Sequence, residues 1–346
     1  MVQYINSGSM PWQPNFSVSA EGNDITDEIR SNLVNMTITD YGGAEKKSDQ
    51  VTLTIVSEIL DLPKKGAKLT IGIGFGQELI SKGAYVVDST SSAGSSSMPR
   101  TIGIVGRSFS KSNAYGHSTV QSQRIRSFSN ITLGDLVNKI ATEHGLTPRV
   151  PEELASKVIS HVDQAGESDM NLLTRLAEQY GAVSKISHDY WIVSPREAMT
   201  NISGNDLQKL IVTREMTSDW SYHNNSDHPD SSKAGSGTQI YQYYDVADGG
   251  KIKSFIIGSG EPVTTSAPFA SLALAQESAG GGSVKSKKKL RGMSVSLPAE
   301  PEMMGLTAQC LITTSGFGTL EDGDWHISKL DLVLGSPGFT IKMDLE

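Results

Sequence analysis

A repeat in the middle of the chain constrains the fold more than any other feature. Thr132-Leu-Gly-Asp-Leu-Val-Asn-Lys-Ile-Ala-Thr-Glu-His-Gly145 matches Ser168-Asp-Met-Asn-Leu-Leu-Thr-Arg-Leu-Ala-Glu-Gln-Tyr-Gly181 in residue type at most offsets. Leu133, Leu136, Val137, Ile140 and Ala141 fall at the i, i+3, i+4, i+7, i+8 positions of one helical face. Thr132 and Ser168 offer hydroxyl caps to first-turn N–H groups. Gly145 and Gly181 stand where a helix closes in the left-handed region. The spacing therefore predicts two short amphipathic helices. The chain on either side alternates with period two and predicts strands, so a helical module separates two β-rich blocks.

The first block runs over 14–110. Phe16–Ala20, Leu33–Thr39, Val51–Ile55, Leu69–Phe75, Ala84–Val87 and Thr101–Val105 each read as strands, with a turn at Asp61–Gly66. Ser89–Met98 is nearly all small and polar and reads as a flexible loop. Such regularly punctuated strands suggest a barrel or sandwich. A polar connection follows over 111–127, with Lys111, His117, Arg124 and Arg126. A hairpin is expected from Val183–Ile186 and Tyr190–Val193. In the last block, Ile211–Tyr222 reads as one long strand and 223–237 as a polar loop. Strands are expected at 239–246 and 252–257, a helix over Pro268–Ala279, a Gly-rich and then basic loop to Arg291, and a strand at Met293–Leu297. Three more are expected at Leu306–Thr313, Trp325–Leu334 and Phe339–Leu345.

Composition limits what such a chain can do. The 346 residues suffice for two or three domains, and 34 glycines with 37% apolar residues suit turn-rich β structure. The single Cys310 precludes an intrachain disulfide framework, fits assembly in a reducing cytoplasm, and reads as a buried strand residue. No signal peptide is read at the start, and no apolar run reaches membrane-spanning length. A net charge of -8 argues against general binding to nucleic-acid phosphate.

Motifs that could carry chemistry read as structure. Gly72, Gly74 and Gly76 recur every second residue, which is not the G-x-G-x-x-G of a dinucleotide loop and fits close packing on one strand face. His223, Asp227, His228 and Asp230 lack the H-E-x-x-H spacing of a helical zinc site and sit among loop formers. Glu321-Asp-Gly-Asp-Trp-His326 lacks the ligand spacing of a calcium loop and reads as a hairpin turn. Lys285-Ser-Lys-Lys-Lys-Leu-Arg291 has no flanking aromatics to stack bases and reads as a solvated edge or a contact with an acidic neighbour. No nucleophile elbow occurs. The expectation is therefore no enzyme, no catalytic or metal residues and no cofactor.

The order of elements resembles the phage late control protein D family, the hub proteins of contractile tails, akin to the hub part of VgrG proteins. The resemblance rests on Thr132–Leu146 and on Gln164-Ala-Gly-Glu-Ser-Asp-Met-Asn-Leu-Leu-Thr-Arg-Leu-Ala-Glu-Gln-Tyr-Gly-Ala182. It extends to Tyr243-Tyr-Asp245, the helix with Ala273 and Ala275, Trp325-His-Ile327 and Gly338–Leu345. Asp331 stands where the pattern suggests His, and 280–289 is longer and more basic than expected. The resemblance implies a mainly β chain with an α+β insert. A first hub β-barrel spans 1–112, a helical and mixed module 113–203, and a second hub β-barrel with inserted loops and a helix 204–346. It implies a homotrimeric ring joining a sixfold tail tube or tube-initiator protein to a threefold central spike, with tape measure and baseplate wedge proteins nearby. It places the chain in the baseplate of a phage or tailocin particle. A secretion-spike hub of the type VI kind, and a cell-wall hydrolase or glycan-binding tail protein, are the competing readings. Three acidic chains around a channel would repel DNA phosphate and let it slide.

Overall fold

The computed structural model describes residues 13–42, 47–109, 120–187, 189–196, 207–224, 239–257, 263–264, 268–276, 278–279, 291–335 and 338–346. The first block holds β1 (Pro14–Ala20), β2 (Asn23–Asp24), α1 (Thr26–Arg30), β3 (Leu33–Tyr41), β4 (Gln50–Val56), β5 (Lys68–Phe75), β6 (Glu78–Ser95) and β7 (Met98–Arg107). The module holds β8 (Gln123–Thr132), α2 (Leu133–Glu143), β9 (Thr147–Arg149), α3 (Glu152–Ala155), β10 (Val158–Ser168), α4 (Asp169–Gln179), β11 (Ala182–Ser187) and β12 (Tyr190–Pro195). The last block holds β13 (Lys209–Thr213), β14 (Asp219–Asn224), β15 (Gln239–Asp245), β16 (Lys251–Ile257) and β17 (Val263–Thr264). It ends with β18 (Arg291–Pro298), β19 (Leu311–Ser315), β20 (Gly323–Gly335) and β21 (Gly338–Leu345).

The two predicted helices form as the residues require. Thr132 and Ser168 cap α2 and α4, accepting from Asp135 N and Asn171 N. Gly145 and Gly181 follow with φ of +69° and +65°. Leu136, Val137, Ile140, Leu172, Leu173 and Leu176 are buried in one core with Trp191. The repeat extends beyond the helices. Each is preceded by a strand, and these two strands, β8 and β10, pair antiparallel. Arg124 and Arg126 therefore lie on β8, not in a connection; 110–119, with Lys111 and His117, fall outside the described residues.

The flanking blocks share one strand order. The first reads β1-β5-β6-β7-β4-β3, and the last reads β13-β19-β20-β21-β18-β14. Numbering each set along the chain, both orders are 1-4-5-6-3-2. One pairing differs: β1 runs antiparallel to β5, while β13 runs parallel to β19. The cause is local. The expected single strand over 211–222 is broken by a 3-10 turn at Arg214–Met216 and continues as β14 in the same direction. One bent run thereby pairs with β19 at one edge of the set and β18 at the other, which closes the barrel. In the first barrel the chain reverses through β2 and α1, and α1 is tied to β1 by Ile25 N donating to Val18 O at 3.0 Å.

The barrels are fused. Past Ile327, β20 leaves β19 and pairs with β3, from Lys329 opposite Tyr41 to Gly335 opposite Asn35. All the strands of both barrels join a 13-stranded sheet. One core cluster runs through both, with Phe75 and Phe339 in contact at 5.4 Å between centroids.

Several expectations change. Ser89–Met98 is the end of a hairpin: β6 extends to Ser95 and β7 begins at Met98, because backbone pairing needs no large side chains. Leu306–Thr313 is not one strand; a 3-10 turn at Pro301–Gly305 precedes it and β19 starts at Leu311. Cys310 is buried but lies before that strand, its Sγ accepting from Thr307 N. The helix expected from Pro268 is described at 272–276 and 278–279, since Phe269 is held in a bridge to Tyr243. Gly72 and Gly74 pack closely in β5: a Cβ would fall 2.6 Å from Ser17 Oγ and 2.1 Å from Glu78 O. Gly76 belongs to the following turn.

The seam has a testable cost. Leu332 is buried at the β20–β3 pairing. Leu332→Ala should destabilise by about 2–5 kcal/mol, and calorimetry should show both barrels unfolding in one shifted transition. Separate transitions for the two barrels would contradict the shared core.

Candidate functional site: a three-way joint

The module meets both barrels at a buried charge cluster. Lys185, on β11, donates to Asp40 Oδ1 at 2.8 Å and to Tyr41 O at 2.9 Å, and lies 3.5 Å from Asp49 Oδ2. Asp40 and Tyr41 end β3, and Asp49 precedes β4. Asp40 Oδ2 also accepts from Ala308 N of the second barrel at 2.9 Å. Asp40 thus ties the module and second barrel to the first. Ser108 Oγ adds a bond to Ile186 O at 2.9 Å.

Burial sets the electrostatics. Desolvation pushes Asp49 up to about 6, against the pull of Lys185, and neighbouring Asp40 adds to the rise. Burial opposes the Lys185 ammonium, but Asp40 and Asp49 outweigh it and hold its pKa above the usual lysine range.

A cavity of about 900 Å³ opens beside the joint, lined by Lys82, Tyr85, Arg149, Tyr190, Leu207 and Met304 among others. Lys82 Nζ donates to Met304 O at 2.6 Å and to Leu306 O at 3.3 Å, linking the two barrels again. Burial lowers its pKa.

A second charge cluster holds the repeat together. Asp169, at the first position of α4, is fully buried and accepts from His144 Nε2 at 2.7 Å, Gln164 Nε2 at 2.9 Å and Arg126. Arg124 Nε lies 3.2 Å away, and Glu143 accepts from both arginines. Burial raises the Asp169 pKa, but these bonds and charges outweigh it and hold it below the usual value. A carboxylate at a helix N-terminus suits the helix dipole. The Glu-Ser-Asp step thus positions an acid that pins α4 to the end of α2.

The sequence motifs separate. His223 lies on β14, while Asp227, His228 and Asp230 fall outside the described residues. The same is true of the basic run, except Arg291, whose guanidinium stacks over Trp325 at 4.3 Å. Asp322 accepts from Phe317 N and Gly316 N, which closes the turn over 316–322; the expected hairpin turn thus ends sooner, and Gly323–His326 already pair with β19 as the start of β20. Asp331 stands at the seam, accepting from Thr39 Oγ1 and Lys329 Nζ at 2.6 Å each.

Pairing also creates a chain no spacing rule could find. Ser129 Oγ lies 2.8 Å from His161 Nδ1, and His161 Nε2 lies 3.1 Å from Asp163 Oδ1. Asp163 also accepts from Ser127 Oγ. His161 and Asp163 stand more than half exposed, Ser127 and Ser129 are exposed beside them, and neither described cavity includes any of the four. An exposed histidine hydrogen-bonded in this way is a solvated cross-strand ladder.

Two barrels of one strand order around a mixed module are a fold shared with solved phage tail proteins. The chain matches the fold of the 43 kDa tail protein of prophage MuSo2 from Shewanella oneidensis with TM-score 0.71 at 16% identity, covering 96% of this chain and 98% of that one. It matches a tail protein from Neisseria meningitidis with TM-score 0.69 at 13% identity, covering 96% of each. Residues 118–202 match the family model described as phage tail baseplate hub (GPD). The chain is 33% identical over 202 residues to the probable baseplate hub protein of Escherichia phage P2, over 58% of this chain. Over its middle the chain is similar to the phage tail baseplate hub (GPD) family, and over 202 residues to two probable baseplate hub proteins. The alignment spans half the length of that relative.

Two outcomes follow from the joint. Lys185→Met leaves two carboxylates buried without a cation, and should cost about 3–5 kcal/mol by denaturant unfolding at pH 7. Asp49 binds its proton more tightly folded than unfolded, so its contribution is largest below about pH 4 and is lost as pH rises to about 6. Asp49→Asn should therefore gain about 2–3 kcal/mol on wild type between pH 4 and pH 7. A pH-independent difference would show that burial leaves the proton affinity of Asp49 unchanged.

Proposed function

We propose that the chain is the structural baseplate hub of a contractile phage tail or tailocin. Three copies form a ring that joins the sixfold tail tube to the threefold central spike. The domain limits are 1–112, 113–203 and 204–346. The observation that carries this reading is the strand order 1-4-5-6-3-2, present twice in one chain. Three copies then offer six similar barrels, so one ring can face sixfold and threefold partners. The match of 118–202 to the baseplate hub family supports the same role. The work is mechanical: the tube or its initiator docks on one face and the spike on the other. Tape measure and wedge proteins complete the surroundings, and the place of action is the tip of the tail.

The mass of the purified protein tests this, measured by light scattering alone and with its spike partner. A species of three copies is expected with the spike. A chain that stays monomeric at every concentration, with and without the spike, would overturn the reading.

A further inference from the structure

The internal seam also points to an edge that joins one copy to the next. In the second barrel, β20 reaches Ile327, which bonds both ways with the strand-4 side: Ile327 N donates to Cys310 O and Gln309 N donates to Ile327 O. A bulge follows between Ile327 and Lys329. The strand then runs from Lys329 to Gly335 along β3, and the hairpin closes on Gly338.

The first barrel repeats the same bonds and the same bulge. Val87 N donates to Ala67 O, and Gly66 N donates to Val87 O. A bulge follows between Val87 and Ser89. The strand then runs from Ser89 to Ser95, and the hairpin closes on Met98. The arms match in length from bulge to turn. Two things differ: β6 carries a second bulge against β7 between Ala93 and Ser95, and Lys329–Gly335 has β3 beside it, whereas among the described residues Ser89–Ser95 has a strand on the β7 side alone. All of Ser89–Ser95 is exposed.

The matching partner is also in the chain. β3 is strand 2 of the first barrel, and strand 2 of the second is β14. Carrying the registers of β7, β4 and β3 onto those of β21, β18 and β14 places Asp219–Asn224 on Asn35–Asp40. Those β3 residues are the ones that β20 pairs with. Among the described strands β14 pairs with β18 alone.

We infer that Thr90–Ser95 of one copy pairs antiparallel with Asp219–Asn224 of the next, repeating between copies the seam that joins the barrels within each. A strand-5 edge of each barrel then meets a strand-2 edge of the barrel beside it, alternately within and between chains, and three copies close the ring. The occupant is a second copy because the same chain supplies both halves of a pairing it already makes internally. The contrast in side chains fits the two roles. The internal seam buries Leu330 and Leu332 and forms with folding. The outer arm, Ser89-Thr-Ser-Ser-Ala-Gly-Ser95, relies on backbone bonds and stays soluble until a neighbour arrives.

This rests on the trimeric reading above, and disulfide trapping in the full-length chain separates the two. Internal register places Ala93 opposite Ser221, as Val333 stands opposite Thr37. Directly opposed antiparallel residues lie about 4.5–5.5 Å apart at Cα, within disulfide reach. Both positions are exposed, and the one native cysteine is buried. The variants are Ala93→Cys with Ser221→Cys, and Ala93→Cys with His223→Cys for a shifted register. A pair of Ala93→Cys with Leu320→Cys serves as control, and thermal unfolding checks each fold. After mild oxidation, one of the first two pairs should give covalent trimer on a non-reducing gel. Mixing the corresponding single variants should stop at dimer. Trimer by light scattering without a cross-link from either test pair, or with equal cross-linking in the control, would overturn the pairing while leaving the hub reading intact. A monomer under all conditions would overturn both.

Discussion

The structure depends on β20 changing partners. Its first residues pair with β19 inside one barrel, and its last residues pair with β3 of the other. Strand edges left unpaired are templates for wrong association, and this exchange occupies two edges with one strand. The approach is close. A Cβ at Gly42 would lie 3.1 Å from Ser328 O, and one at Gly335 would lie 2.9 Å from Asn35 Oδ1. The bulge at Ile327/Lys329 turns the strand as the partner changes, which is what bulges do at barrel margins. The two barrels consequently hold a fixed mutual orientation.

The module is oriented by a different kind of contact. Its hydrophobic core is separate from that of the barrels. What ties it down is Lys185 with Asp40 and Asp49. Buried charge is a poor source of net stability, because desolvation offsets most of the attraction. It is a sharp source of position, because an ammonium between two carboxylates tolerates little displacement. The cluster around Asp169 does the same within the module, locking the start of one repeated helix to the end of the other.

Legibility followed the range of the interactions. The helices at 133–143 and 169–179 were readable to within a residue or two, since caps, apolar period and closing glycines act within a few residues of each other. The strands at the end of the chain, including Phe339–Leu345, were readable from alternation. Ser89–Ser95 was not, because its pairing uses backbone alone and its composition is that of a loop. The break at Arg214–Met216 was hidden for the opposite reason: both halves alternate properly, and only closure of the barrel demands a bend. Arg124 and Arg126 read as connection because their partners, Glu143 and Asp169, lie far along the chain.

Residue pattern by itself determined the division into strand block, helical module and strand block, and, through the Glu-Ser-Asp step and its repeat, the resemblance of the middle of the chain to baseplate hub proteins. These are local properties, set by backbone period and capping. Tertiary structure alone decided that the blocks are one sheet, that their strand orders are equal, and that Lys185 sits between Asp40 and Asp49. Each of these is a pairing between distant positions, and hydrogen bonds between backbones leave almost no mark on the side chains that flank them.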